Sequence, residues 1–468
     1  MILRFFLLLL LSVGAAANAD LPLRVQRALD HRGVPHDTLS VYVENINTGE
    51  ILVSWLAETP RTPASVEKML TTLVALDELG PAYTWKTEIY ALGDVRGEVL
   101  DGDILIKGYG DPFLVTERFW QMLRQLRRAG IRSIGGELLL DDSYFDVGDH
   151  DPAAFDSEPL RAYNVAPNAL LSNFKVVRYF FEPDSASGKV DITLDPPLDN
   201  IEVINRLSVR QGACSGYQRG ITITPNDDVS RVTFSGRFPS GCEIYAMDRT
   251  ALSHNAFTYG LFASLWRQLD GEFSGRWRKA TAPEDLEPLL TVESLSLAEI
   301  ITRVNKHSNN VMARQLLYTL AAERLGSPGT ESGGRSVIGE WLAARGFSLA
   351  ELKLDNGAGL SRDSRMTAVQ LGAVLRYAWS SPTMPEYVSS LSLSGLDGTL
   401  SRRFRDRALA GKAHMKTGSL DDVSAFAGYF QARSGARFIV VAMHNHKDIH
   451  RGPGEEVQEA LLRWLYEQ

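Results

Sequence analysis

The sequence predicts an α/β fold of the α+β kind, an antiparallel sheet flanked by helices and carrying a large, mostly-β insertion. Three observations predict it. A long apolar helix with clear start and stop signals lies near the N-terminus, and helical periodicity returns after about residue 254. Between them, from about Thr87 to Asp248, short alternating runs are separated by Gly, Asp, Asn and Pro, the pattern of strands joined by turns. Near the end, three consecutive strand-like runs precede one last amphipathic helix.

The elements follow in chain order. Residues 1–19, MILRFFLLLLLSVGAAANA, start with Arg4, run apolar from Phe5 to Val13 and close on the small-x-small tripeptide Ala17-Asn18-Ala19. This is the pattern of a secretory signal peptide, so export to the periplasm is expected. The apolar run is too short to cross a bilayer comfortably. No Cys precedes Cys214, and no second apolar run is long enough to span, so no stable membrane anchor is expected. Thr62 to Gly80 is the clearest helix, with Thr62 suited to the N-cap, Pro63 to the first helical position and Gly80-Pro81 to the stop. Val66, Met69, Leu70, Leu73, Val74, Leu76 and Leu79 cover much of its surface, which predicts burial on most sides.

Within the strand-rich block, Asp103–Lys107, Gly136–Leu140, Lys189–Leu194 and Val232–Phe234 read as strands and Glu117–Arg128 as a helix. Helices are expected over Ala256–Gln268, Leu297–Asn305, Val311–Leu325, Arg335–Ala344 and Thr367–Trp379. His414–Leu420, Ser424–Ala432 and Arg437–His444 predict an antiparallel meander, and Glu455–Tyr466 a helix packed on it. Residues 20–86 and 254–468 are thus expected to form one domain, with 87–253 inserted into it.

Composition narrows the function. Apolar residues make up 44% and charged residues 23% of 468, which suits a globular protein and excludes extensive disorder. The 49 Lys and Arg against 57 Asp and Glu leave a net charge of −8, the wrong sign for nucleic acid as the main partner. Two cysteines exclude a disulfide-dense scaffold and a four-cysteine metal site. In an oxidising compartment Cys214 and Cys242 are able to pair; the alternative is two unpaired small hydrophobes.

Chemistry concentrates in three short stretches. In Ser65-Val66-Glu67-Lys68, positions three apart share a helix face, so the Ser65 hydroxyl and the Lys68 amine can meet. Near a helix N-terminus the Ser65 N–H has no intrahelical acceptor and is free to donate to an oxyanion. A serine needs a base, and lysine serves only when burial or a nearby cation lowers its pKa. His414-Met415-Lys416-Thr417-Gly418-Ser419 offers that cation in Lys416. Lys416 and Thr417 suit a substrate carboxylate, Gly418 leaves room for a substrate backbone, and the Ser419 N–H suits the second oxyanion donor. In Ser308-Asn309-Asn310, Ser308 can relay a proton to a leaving amine and Asn310 can hydrogen-bond a substrate amide. Each stretch alone is ordinary; Ser-x-x-Lys, Ser-Asp-Asn and Lys-Thr-Gly are the signature of penicillin-binding proteins and class A β-lactamases, and the three stretches follow it in this order with Asn309 in place of the Asp.

The chain resembles the class C low-molecular-mass penicillin-binding proteins, the D-alanyl-D-alanine carboxypeptidase/endopeptidases of the S13 peptidase family. Besides the three stretches, the likeness includes Gly108-Tyr109-Gly110-Asp111-Pro112 and Asp355-Asn356-Gly357-Ala358-Gly359-Leu360-Ser361-Arg362. It covers nearly the whole chain after residue 19. The long interval from Ser65 to Ser308 matches the family's insertion, which forms two nested domains. The resemblance implies a penicillin-recognising transpeptidase/β-lactamase-like domain and hydrolysis of peptidoglycan peptides ending in D-Ala-D-Ala through an acyl-enzyme on Ser65. It also implies DD-endopeptidase action, covalent inhibition by β-lactam antibiotics, no cofactor and no metal. Contact with the substrate's diamino side chain from around Asp156–Tyr163 is a further implication. The second motif departs from the family's Ser-Asp-Asn at its middle residue, which has no reacting role.

Other readings are weaker. No Gly-x-Ser-x-Gly elbow, phosphate loop or Gly-x-Gly-x-x-Gly occurs. His444, His446 and His450 read better as a polar strand end than as metal ligands, and Arg402, Arg403, Arg405 and Arg407 as a solvated loop. The rivals are a serine β-lactamase with the same site and a non-catalytic cell-wall-binding protein of the same fold.

Overall fold

The computed structural model describes residues 20–184, 186–216 and 220–468. The expected signal peptide lies outside them. Among the described residues no helix is long and apolar enough to cross a membrane. Contacts divide the chain into two compact units. One comprises Met1–Pro63, Arg365–Ser380 and Ser392–Gln468; the other comprises Ala64–Ser364 and Ser381–Leu391.

The first unit is built on a six-stranded sheet in the order Ser392–Leu393, Ala413–Leu420, Val423–Gln431, Arg437–Asn445, Leu39–Asn45, Ile51–Trp55. Every neighbouring pair is antiparallel. The expected meander is its centre. Val423–Gln431 is buried along eight of its nine residues, so both faces must be covered. Val41, Val43, Val440 and Ala442 share a core with Val25 and Leu29 of the Leu23–Arg32 helix and Leu461, Leu462 and Leu465 of the Pro453–Tyr466 helix. Alternate residues point the other way. There Tyr42 lies against Gly372 of the Ala368–Ser380 helix, where an added Cβ would sit 2.6 Å from the ring. The Tyr429 hydroxyl donates to the Leu375 carbonyl at 2.8 Å. Each fully buried aliphatic or aromatic side chain in this sandwich contributes roughly 1.5–3 kcal/mol.

The second unit holds two more sheets. One runs Ile221–Pro225, Arg231–Gly241, Glu202–Ala213, Lys189–Asp195, Val176–Asp184, Tyr245–Thr250. Its single parallel pair joins Arg231–Gly241 to Glu202–Ala213. Cys214 and Cys242, just beyond those two strands, are joined in a disulfide. The other sheet is centred on Lys86–Arg96 and Val99–Gly108. Strand pairing does not stop at residue 253: Trp277–Lys279 pairs with Leu138–Asp141, and Leu290–Glu293 with Lys86–Arg96. The Thr116–Arg128 and His254–Gln268 helices supply Phe119, Met122, Leu123, Phe257, Leu261 and Trp266 to a core shared with both sheets.

The remaining helices of this unit are Lys68–Leu79, Leu297–His307, Asn310–Leu325, Glu331–Ala344 and Met384–Ser390. Lys68–Leu79 is buried over Lys68–Leu76, which its all-round apolar composition dictates. Its start corrects the sequence expectation. Thr62 is not its N-cap: the Thr62 hydroxyl accepts from Arg365 at 2.9 Å. Ala64–Glu67 forms a 3-10 turn and the α-helix begins at Lys68. The cause is local, since Ala64 takes φ +48°, which breaks helical geometry before the turn.

Candidate active site

Ser65 sits in the 3-10 turn, and Lys68 begins the α-helix that follows. The Lys68 side chain is fully buried, and its Nζ lies 2.9 Å from Ser65 Oγ. Nζ also donates to Asn310 Oδ1 at 2.6 Å and to the Ala358 carbonyl. These three oxygens satisfy an ammonium that burial would otherwise penalise heavily. The same geometry suits the neutral amine. Two N–H groups remain on Asn310 and Ala358, and the nitrogen lone pair is left facing the Ser65 hydroxyl. A hydroxyl with an adjacent, oriented amine is the arrangement that an activated nucleophile requires.

The acceptors are held by their own elements. Asn310 opens the Asn310–Leu325 helix, whose N-cap Asn309 accepts from the Met312 N–H at 3.0 Å. Ser308 caps the end of Leu297–His307 in a left-handed conformation, φ +56°. Ser308-Asn309-Asn310 is thus a helix-to-helix corner, with Ser308 half-buried. Ala358 is presented by a tight loop in which the Ala358 N–H donates to Asn356 Oδ1 at 3.1 Å and Asn356 Nδ2 to the Leu360 carbonyl at 2.9 Å. The Thr71 hydroxyl pins this loop to the Lys68–Leu79 helix through the Gly357 carbonyl at 2.7 Å. Gly359 is required twice over: its φ is +69°, and a Cβ there would sit 1.9 Å from the Ala64 carbonyl oxygen.

Glu67, between Ser65 and Lys68, is also fully buried. Burial pushes its carboxyl up to about 7, while Ser364 and the Lys68 charge pull it back.

Lys416, Thr417, Gly418 and Ser419 lie on Ala413–Leu420 in the other unit. Lys416 is fully buried and donates to the Thr417 carbonyl at 2.8 Å; burial pushes its ammonium down to about 7. The Thr417 hydroxyl donates to Thr399 Oγ1 at 2.8 Å, and Ser419 is exposed. Ser392–Leu393 pairs only with Met415 and His414. Among the described residues of this unit, Thr417–Leu420 therefore pairs on one side only, with Val423–Phe426. An open strand edge of this kind can take an extended peptide.

His444 and His450, set aside in the sequence, have structural partners. His444 Nε2 is 2.9 Å from the Thr38 hydroxyl, and His450 Nδ1 accepts from the Asp422 N–H at 2.9 Å. Among the described residues, no group of three or more His, Cys, Asp or Glu is arranged to hold a metal. Arg402, Arg405 and Arg407 are exposed, but Arg403 turns inward and donates to Gln458 Oε1 at 2.7 Å. The Tyr163 hydroxyl donates to Asp156 Oδ2 at 2.7 Å, which orders the 156–163 segment. The contributions of the Ala358 carbonyl and of Gly359 were not assigned from sequence. The signal available was the Asn-Gly-x-Gly turn chemistry of Asn356–Gly359.

Comparison with known proteins identifies the family and the fold. The D-Ala-D-Ala carboxypeptidase 3 (S13) family matches residues 23–468. The chain is similar to a D-alanyl-D-alanine carboxypeptidase of Actinomadura sp. strain R39, 28% identical over 446 residues, spanning 91% of this chain and 81% of that one. It is also similar to the D-alanyl-D-alanine carboxypeptidase DacB of Haemophilus influenzae, 23% identical over 405 residues, 86% of this chain and 84% of that one. The crystal structure of penicillin-binding protein 4 from H. influenzae superposes with a TM-score of 0.81 at 22% identity, covering 95% of this chain and 99% of that one. At that identity the likeness establishes the fold.

Proposed function

This chain belongs to the D-Ala-D-Ala carboxypeptidase 3 (S13) family and is a serine hydrolase; from that premise we propose that it removes the terminal D-alanine from peptidoglycan stem peptides through an acyl-enzyme on Ser65. The observation that carries this reading is the Lys68 amine, 2.9 Å from Ser65 Oγ with two further acceptors fixing its direction. Neutral Lys68 takes the Ser65 proton as Oγ attacks the carbonyl of the penultimate residue. The Ser65 and Ser419 N–H groups receive the oxyanion, each such donor being worth about 3 kcal/mol at a comparable site. Ser308 relays the proton now on Lys68 to the departing amine as the C–N bond breaks, which leaves Lys68 neutral again. Lys68 then takes a proton from the water that attacks the ester and returns it to Ser65 Oγ as the acyl–oxygen bond breaks.

Asn310 has spent its carbonyl oxygen on Lys68 and keeps its amide N–H₂ for a substrate carbonyl. Lys416 and Thr417 are assigned to the substrate carboxylate, with Gly418 leaving space for its backbone along the open strand edge. These assignments rest on the motif pattern. The H. influenzae penicillin-binding protein 4 has been solved in complex with a β-lactam, and acylation of Ser65 by β-lactams is proposed here. DD-endopeptidase action on cross-linked peptides follows from the same chemistry, and export to the periplasm from residues 1–19. The catalytic domain is proposed to be residues 20–86 and 254–468, with the insertion between them.

Labelling with a fluorescent penicillin tests the reading. A stable covalent label that is lost in Ser65→Ala is expected. Rapid turnover of the label would replace the reading with a β-lactamase, and no label with purified wall still bound would replace it with a non-catalytic binder. Mass spectrometry of products from monomeric and cross-linked muropeptides then ranks carboxypeptidase against endopeptidase activity. Cell fractionation checks export.

A further inference from the structure

Within Ala64–Ser364, a cleft of about 550 Å³ plays no part in the acyl transfer. Lys175 lines it from an unusual turn. Asn173, Phe174 and Lys175 all take positive φ, 44°, 54° and 54°, a left-handed path that L-residues avoid because Cβ crowds the following carbonyl. The turn is tied down on both sides. The Asn173 N–H donates to the Leu114 carbonyl at 2.9 Å, and its side-chain amide to the Val176 carbonyl at 3.0 Å. The Lys175 N–H donates to the Ser172 carbonyl at 2.8 Å. Strain held in this way is characteristic of ligand clamps. Here it sets a half-buried lysine in the cleft wall. Burial lowers the Lys175 pKa, and no carboxylate offsets it.

His254, the first residue of the His254–Gln268 helix, also lines the cleft. Burial, then the positive charge of Lys175, pushes its imidazole down to about 3, with Asp142 pulling the other way. At neutral pH the ring is uncharged and carries one N–H donor. The two acidic side chains of the lining, Asp142 and Asp146, are held differently. Asp142 pairs with Lys279 at 3.0 Å and accepts from the Asn168 and Asn255 amides at 3.0 and 3.2 Å. Asp146 accepts from the Gly148 N–H at 3.2 Å. Among the described residues of the lining, Lys175 is thus a cation without an ion-pair partner and His254 a neutral donor, while Asp146 is a carboxylate that no cation offsets.

We propose that this cleft binds a small anionic ligand, a carboxylate or a phosphate, with Lys175 as its charged partner and the His254 ring N–H as a hydrogen-bond donor. The proposal stands apart from the acyl-enzyme reading. It is tested on the full chain carrying Ser65→Ala, so that no turnover interferes. Calorimetric titration with inorganic phosphate and, separately, with N-acetylmuramic acid, a sugar carboxylate, measures binding. Saturable binding is expected, weakened tenfold or more by Lys175→Gln and by His254→Asn, in variants whose circular dichroism matches the parent. The tighter probe identifies the ligand's acidic group. No saturable binding of either probe, or unchanged affinity in both variants, overturns the proposal.

Discussion

Among the described residues two lysines are sealed from solvent, one in each compact unit, and they are held differently. Lys68 is surrounded by a serine hydroxyl, an asparagine carbonyl and a loop carbonyl. Lys416 sits in a sheet strand and donates to the carbonyl of its own neighbour, Thr417. In the first case the acceptors fix direction, so that the nitrogen faces one hydroxyl. In the second, burial dominates, and the ammonium is pushed down to about 7. Burying a lysine therefore yields two different tools: an aimed amine and a cation close to losing its charge.

The sharpest way to break this comparison is to keep the charge at Lys68 and remove the ability to give up a proton. Lys68→Arg retains a cation of similar reach, but guanidinium does not deprotonate in proteins. If Lys68 works as a base, acylation by the fluorescent penicillin falls by about 10²–10⁴-fold, measured as the rate of label incorporation. The Ser65→Ala/Lys68→Arg pair should lose no more than Ser65→Ala alone, because the two groups act as a unit. Near-normal labelling of Lys68→Arg would show that charge, not proton transfer, is what this position supplies.

At Lys416 the comparison is tested through stability. The unfolded chain keeps this proton up to the ordinary value of 10.5, and the folded chain releases it at about 7. Between those values the unfolded state binds more protons, so this lysine makes stability rise with pH from about 7 to 10.5 and leaves it flat below. The difference is worth roughly 4–5 kcal/mol. Lys416→Met, which fills the space without the charge, is expected to be more stable than the parent near neutral pH and to lack the rise. Denaturant titrations across that window measure both. The same variant should bind β-lactams poorly if Lys416 receives their carboxylate.

How much of this was legible in sequence follows from what kind of group does each job. Ser65 and Lys68 were legible because a helix face is periodic, and the 413–445 meander because its strands are long and apolar. Glu272–Phe273 and Trp277–Lys279 were missed, since two or three residues carry no readable alternation. The Ala358 carbonyl was missed because a backbone acceptor has no side-chain signature. Its support, Gly359, is a glycine for steric reasons that only the Ala64 carbonyl reveals. The second partner of Asn310 was not legible: its oxygen accepts from Lys68, a contact between distant stretches of chain that no local pattern announces. The onset of the helix was not legible because Thr62-Pro63 carries correct start chemistry, and the positive φ of Ala64 that breaks the path has no sequence signature.

Glu67 offers the smallest and most local test, because it puts a sealed acid beside the sealed base. Burial raises its carboxyl to about 7 from 4.5, and Ser364 and Lys68 oppose the rise. The sign is opposite to that of Lys416. Between 4.5 and about 7 the folded state binds the extra proton, so this group's contribution is fully present below 4.5 and is lost as pH rises to about 7. The loss amounts to about 3 kcal/mol. Glu67→Gln keeps the shape without the charge, and its stability relative to the parent is expected to increase across that interval and level off above it. Denaturant midpoints over the same range check this. A constant difference between the two proteins would mean that Glu67 ionises freely in the folded state, paired with the Lys68 ammonium. The burial argument would then hold for the lysine in the sheet and not for the acid beside the helix start.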